Sequence, residues 1–116
     1  MKREFLDYIE DIVSAMSNAE AFTEGMQFED FARDNKSVYA AVRALEIIGE
    51  AVRKVPASVR NRYPAIPWKE MAGMRDKLIH EYFGVDLETV WETVKANIPK
   101  TKPLIKRILK SLTKEQ

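Results

Sequence analysis

The chain has 116 residues, 19 of them Lys or Arg, 18 Asp or Glu, one His and no Cys, and its length is typical of a single domain spanning 1–116. The absence of cysteine excludes a disulfide framework and a thiolate metal site, so neither a metal nor a cofactor is expected. No apolar run approaches the roughly 20 residues that span a bilayer. Acidic residues near the N-terminus do not fit a signal peptide, which predicts a cytoplasmic location and no membrane partner.

Charge is unevenly distributed, although the formal net charge is only +1. Residues 1–34 carry nine acids against three basic residues, whereas residues 95–114 carry seven basic residues and no acid. This asymmetry is compatible with a polyanion or an acidic partner, but charge alone favours the simpler interpretation, a solvated helix face. It is not the strongly basic composition expected of a dedicated duplex-binding domain.

Apolar residues recur at steps of three and four through most of the first half, which is the period of α-helices. The pattern predicts a first helix from about residue 3 to Glu24, ended by Gly25, then one or two helical turns within 26–33. Asp34 or Asn35 is expected to cap a long helix that runs to about Lys54. The predicted buried stripes are Phe5, Ile9, Ile12, Met16 and Ala19, flanked by Leu6, Val13 and Phe22, and then Val38, Val42, Leu45, Ile48 and Val52.

Prolines and glycines divide the second half. Residues 56–67 hold three prolines and are predicted to form the only substantial loop. A helix is expected from Pro67 to about Phe83, packing Met71, Met74 and Leu78 and ending at Gly84. Asp86 should cap the last helix, which Pro99 is expected to kink or restart. Since no strand-like alternation competes, the predicted fold class is all-α, an antiparallel bundle of four or five helices.

The segment 75–82 contains the only histidine of the chain, five residues after Arg75 and two before Tyr82. Histidine can exchange protons near neutral pH, because its unperturbed pKa is about 6.5. The planar cation of arginine suits phosphate oxygens. Together Arg75 and His80 suggest acid–base chemistry on a phosphodiester.

Helix geometry constrains this pair, because residues five apart lie about 140° around an ideal helix axis. Either the helix loosens before Gly84, or Arg75 reaches around it, or two copies of the chain form the site together. The last arrangement brings two His80 side chains, a base and an acid, which metal-free RNA cleavage requires. The same residues also have plain structural interpretations: His80 near a helix end, Arg75 paired with an acid, and Tyr82 in the core.

The 68–86 segment, running on through Val90 and Trp91, resembles the HEPN superfamily and most closely its HepT-like branch, whose signature is R-x4-H-x-Y. The 43–51 segment of the long helix is similar to the same family, in the expected order and separation. The resemblance implies a HEPN-type bundle that dimerises and cleaves RNA without a metal. It also implies a toxin role, opposed by a minimal nucleotidyltransferase antitoxin.

The resemblance assigns roles residue by residue. Arg75 would stabilise the charged phosphate and His80 would act as base or acid, while Tyr82 would be the tyrosine that the partner adenylylates. Asp76 stands where the superfamily commonly has asparagine, and its charge would weaken the hold of Arg75 on phosphate. On the long helix, Glu46 or Glu50 is a candidate to anchor Arg75 or orient His80, or either is simply a solvated carboxylate.

Two other functions remain open from the sequence. The first is a non-catalytic helical module that docks a nucleotidyltransferase through its acidic and basic helices. The second is nucleotide binding without turnover, which would engage Arg75. RNA cleavage by attack of the 2′-OH is the leading hypothesis.

Overall fold

The computed structural model describes residues 4–80 and 86–115, with the side chains at 75 and 77–80 outside that description. Every regular element within these residues is helical, which confirms the all-α fold class. The helices are α1 (Phe5–Phe22), α2 (Phe28–Arg33), α3 (Asn35–Lys54), α4 (Ala57–Arg62), α5 (Trp68–His80), α6 (Leu87–Glu92) and α7 (Ile98–Lys114). A π-helical turn, Thr93–Asn97, joins α6 to α7 without a break.

The ends of α1 follow from local hydrogen bonding. The Glu4 backbone N–H donates to the Asp7 carboxylate at 3.3 Å, one half of a capping box. Thr23 ends the helix, and Gly25 follows with φ of 76°, a left-handed conformation that glycine adopts without strain. Helix α1 therefore ends at Phe22, two residues earlier than the sequence predicted.

The prediction of a loop across residues 56–67 is wrong, because α4 forms within it. Pro56 directly precedes the helix, where its missing N–H removes no helical hydrogen bond, since the first backbone N–H groups of a helix have no intrahelical acceptor. Val59 is buried on the inner face, and the Arg60 Nε donates to the Val55 carbonyl at 3.1 Å. Trp68 is buried as well, and its indole N–H donates to the Tyr63 carbonyl at 3.0 Å, which fixes the entry into α5.

The C-terminal helices behave largely as predicted. The Asp86 carboxylate accepts hydrogen bonds from the backbone N–H groups of Glu88 and Thr89, so the expected N-cap is confirmed. The helix passes through Pro99 rather than stopping, and the π-helical turn lies immediately before α7. Proline has no N–H to give, and a π-turn is one way for a helix to absorb a local change of hydrogen-bond register. The predicted end of α5 at Gly84 lies outside the described residues.

The core lies between α1, α3 and the α6–α7 unit, while α5 packs on another side of α3. The predicted stripes differ from the observed core at their edges. Phe22, expected beside the first stripe, is 43% exposed, so that expectation is wrong. Phe5, Val38 and Val42 are half-buried and pack against the core, while small residues on the adjacent face of α3 are fully buried. The buried residues of α1 are Ile9, Ile12, Ala15, Met16 and Ala19, and those of α3 are Ser37, Ala41, Ala44, Leu45, Ile48, Gly49, Ala51 and Val52.

Some basic side chains of the C-terminal segment interact with the acidic N-terminal segment within the fold. Lys102 of α7 pairs with Glu20 of α1 at 2.7 Å. Lys95 donates to the Thr23 carbonyl at 2.8 Å and lies over the Trp91 ring, 5.0 Å from its centroid. The acidic and basic helices therefore partly neutralise each other. No helix in the described part of the chain is long and apolar enough to cross a bilayer.

Candidate ribonuclease site

Helix α5 carries both residues of the candidate catalytic pair. Its α-helical backbone is continuous from Trp68 to His80, so it does not loosen between positions 75 and 80. The two positions therefore remain about 140° apart around the axis, as on an ideal helix. Loosening within this stretch is thereby excluded as the way to bring the two positions together. Tyr82 lies outside the described residues.

Asp76, the residue after Arg75, is bound by a residue that the sequence did not single out. The Arg53 guanidinium, near the C-terminal end of α3, forms an ion pair with the Asp76 carboxylate. Both side chains are close to half exposed, 46% for Arg53 and 47% for Asp76. The contact joins α3 to α5 at the position adjacent to Arg75.

The two acids proposed as supporting residues lie on α3, which packs against α5. Glu46 is half-buried and precedes Arg53 by seven residues, so the two share one edge of α3 to within about 20°. Because Arg53 reaches Asp76 from this edge, the edge faces α5. Glu50 forms an ion pair with Arg43 at 3.5 Å. The structure thus places both acids on the helix beside α5.

A largely apolar groove of about 450 Å³ lies on another side of α5. Its lining includes Met16, Leu45, Ile48, Met71, Met74 and Ile98, with Glu70, Asn97, Lys100 and Thr101 supplying polar groups. On an ideal helix, position 80 lies about 150° around the axis from the mean direction of Met71 and Met74. The groove therefore lies away from position 80, whereas position 75 follows Met71 by one helical turn and so lies close to the groove side of α5.

Arg53 is the residue of this region that sequence reasoning missed. The sequence does contain a pattern that includes Arg53. Glu46, Gly49 and Arg53 recur at steps of three and four, which places them on one edge of the long helix. That pattern shows only that the three share an edge. It does not show that the edge meets α5 at Asp76, 23 residues further along the chain.

Basic side chains remain exposed on α7, away from the internal ion pairs. Lys100, Arg107, Lys110 and Lys114 are all exposed. Their spacing of seven, three and four residues places them within about 80° of one another on an ideal helix. These four side chains form an exposed basic face of α7, which fits a solvated helix face as well as a surface for a polyanion or an acidic partner.

Comparison with known proteins identifies the class to which this helical bundle belongs. Residues 12–108 match the family described as ribonuclease HepT-like. The chain therefore belongs to the HepT-like ribonuclease family, and the resemblance noted from its sequence is confirmed.

Individual relatives agree with this assignment. A protein of Thermococcus cleftensis named as a probable ribonuclease HepT is 51% identical over 110 residues, covering 95% of this chain and all of the relative. A protein of Methanocaldococcus jannaschii, whose name assigns it provisionally as an RNase, is 50% identical over 111 residues, covering 96% of both chains. No solved structure matches the chain significantly.

Proposed function

We propose that this protein is an endoribonuclease that cleaves RNA by attack of the 2′-OH on the adjacent phosphodiester. The observation that carries the proposal is the family match over residues 12–108, which includes the complete R-x4-H-x-Y motif. Arg75 stabilises the negative charge that develops on the phosphate in the transition state, and His80 transfers a proton. The products are a 2′,3′-cyclic phosphate and a free 5′-OH.

The reaction requires two proton transfers, one from the 2′-OH and one to the departing 5′-oxygen. Each chain has one histidine. In a symmetric homodimer, two copies of His80 supply the base and the acid, each accompanied by an Arg75. The unbroken helix of α5 supports this arrangement, since it keeps positions 75 and 80 on different sides of one axis.

We further propose that the protein is the toxin of a two-gene module, opposed by a minimal nucleotidyltransferase. Adenylylation of Tyr82 would silence it. An AMP group attached two residues from His80 adds bulk and negative charge, both of which disfavour an incoming phosphodiester. Support for this proposal comes from family membership and from the position of Tyr82 in the sequence motif.

Cleavage of a mixed RNA substrate in the presence of EDTA tests the proposed activity, after intact mass has shown that Tyr82 is unmodified. We expect His80→Ala and Arg75→Ala each to reduce cleavage at least about 100-fold, because each removes a group that acts in the transition state. Arg62→Ala is the matched control, because Arg62 is an exposed basic residue of α4 that pairs with Glu115 and lies outside α5. It should retain full activity.

The controls of this experiment distinguish the competing explanations. A DNA strand of the same sequence should remain intact, because it lacks the attacking 2′-OH. Equal cleavage by wild type and both variants would indicate a contaminating nuclease and contradict the assigned site. Absence of cleavage by unmodified wild type would favour the docking module, for which the exposed basic face of α7 offers a surface to an acidic partner.

A further inference from the structure

Asp76 presents a difficulty for a site that must bind a phosphodiester. Its carboxylate follows Arg75 directly on α5, and a negative charge there repels the anionic substrate. It also competes with phosphate for the arginine cation, because carboxylates bind guanidinium groups well. An asparagine at this position would keep a polar side chain without either cost.

Arg53 brings a positive charge to this carboxylate from the neighbouring helix. Its guanidinium pairs with the Asp76 carboxylate across the contact between α3 and α5. The preceding turn of α3 contains Gly49, which is buried. Half-exposed ion pairs contribute little to stability, so the main effect of this pair is expected in the charge of the surface beside Arg75.

Position 80 lies on the same face of α5 as Asp76, one helical turn further along. A substrate phosphate that binds close to position 80 would therefore also come close to the Asp76 carboxylate. At separations of a few ångströms the interaction between two such charges is appreciable even at partly exposed sites. Positive charge close to Asp76 therefore favours the binding of phosphate there.

We propose that Arg53 is a positioning residue of the ribonuclease site, which compensates the charge of Asp76 and thereby keeps the surface around Arg75 favourable for phosphate. This inference rests on the proposed ribonuclease function. Arg53 acts through Asp76 and does not itself bind the substrate. Its importance therefore depends on the residue at position 76 being an aspartate.

The test is a double-mutant cycle of Arg53→Ala and Asp76→Asn, with kcat and KM measured for RNA cleavage. Binding of a 2′-O-methyl RNA oligomer, which cannot be cleaved, is measured alongside. We expect Arg53→Ala to raise KM and the Kd of the oligomer about tenfold, because it removes a positive charge that offsets Asp76 near the phosphate. The value of kcat should change much less, because Arg53 does not take part in the proton transfers.

The second arm of the cycle separates this role from others. In the D76N background, Arg53→Ala should have almost no effect on KM or Kd, because no charge remains to be compensated. Arg53→Lys should retain most of the affinity, since it keeps the positive charge. Arg62→Ala is the matched control, because Arg62 also forms a half-exposed ion pair, with Glu115, that does not involve α5. Its KM and Kd should equal those of wild type.

Each other result would overturn the inference. Equal losses from Arg53→Ala in both backgrounds would make Arg53 a direct phosphate ligand. Unchanged KM and Kd in all variants would leave the pair with no part in the site. A fall in melting temperature with no change in Kd for the folded protein would make the pair purely structural.

Failure of the proposed function is distinguishable from failure of this inference. If wild type binds the oligomer but cleaves nothing, the ribonuclease proposal fails while the Kd values of the cycle still decide the role of Arg53. If wild type neither binds nor cleaves, both proposals are overturned.

Discussion

Helices α1 and α5 both pack against α3, yet they use it in different ways. Helix α1 buries five side chains in the core, among them Ile9 and Ile12, which are completely inaccessible to solvent. Of the described side chains of α5, only Trp68 is buried, while Met71 and Met74 are half-buried beside the open groove. The side of α3 that faces α1 is thus well packed, whereas the side that faces α5 is packed less completely and supports the candidate site.

Different helices of this small chain therefore supply most of the folding stability and the candidate site. The free energy of folding comes mainly from apolar area removed from water, which is concentrated between α1, α3 and α7. A site that must admit RNA needs exposed polar groups and a surface that is not already filled. Helix α5 meets that need with the exposed side chain of Lys69 and a half-exposed ion pair to α3.

The largest expected effect compares Ile12→Ala on α1 with Met71→Ala on α5. Ile12→Ala should lower the free energy of unfolding by about 2–5 kcal/mol, because it opens a cavity in a fully buried site. Met71→Ala should cost about 1 kcal/mol, since Met71 is half-buried and borders an existing groove. Urea denaturation followed by circular dichroism measures both. Losses of equal size would contradict the proposed division between the two sides.

The sequence predicts the core side well, because local patterning determines it. The three- and four-residue steps of Ile9, Ile12 and Met16 correctly marked the buried face of α1. The cap at Asp86 was also predictable, since its hydrogen bonds join residues two and three apart. Helix α4 was missed because the prolines of 56–67 suggested a loop, although Pro56 only precedes the helix.

The site side is less predictable from sequence, for a physical reason. The motif points to Arg75 and His80, but the pairing of Arg53 with Asp76 depends on how two helices pack against each other. Spacing along one helix gives the edge on which a residue lies, and not the residue that it meets on another helix. Exposure of Phe22 was missed for the same reason, because apolar periodicity does not reveal which helix faces remain uncovered.

A smaller effect is expected from Gly73→Ala on the exposed face of α5. A Cβ atom at this position would meet nothing within 4 Å among the described atoms, and alanine favours a helix by about 1 kcal/mol over glycine. The free energy of unfolding should therefore rise by about that amount. Position 73 lies seven residues before His80, and hence on nearly the same helix face.

Gly73→Ala also tests the proposed division between the two sides of α3 through its effect on RNA cleavage. A glycine that costs stability on this face is explained if RNA or a second copy of the chain approaches the backbone closely there. We therefore expect Gly73→Ala to cleave RNA more slowly than wild type although it is more stable. Glu70→Gln serves as the control for a general disturbance of α5, because Glu70 is exposed and borders the groove instead. If the G73A protein is more stable than wild type and cleaves RNA as fast, neither RNA nor a second copy approaches the backbone closely at position 73.

The smallest effect concerns Ser37→Ala on the core side, at the start of α3. The Ser37 hydroxyl donates to the Asp34 carboxylate at 2.7 Å, and this bond lowers the pKa of Asp34 from its ordinary value of 3.8. Because the pKa of Asp34 is lowered in the folded state, its ionised carboxylate stabilises the protein at pH values above the ordinary pKa. This contribution is lost as the pH falls through the folded-state pKa. Ser37→Ala should thus lower the melting temperature slightly at pH 7 and by less near pH 3.

RNA cleavage by Ser37→Ala at pH 7 and 25 °C should stay at the wild-type rate, because the bond lies on the core side of α3. A loss of cleavage in a fully folded S37A protein would show that the two sides of α3 are coupled.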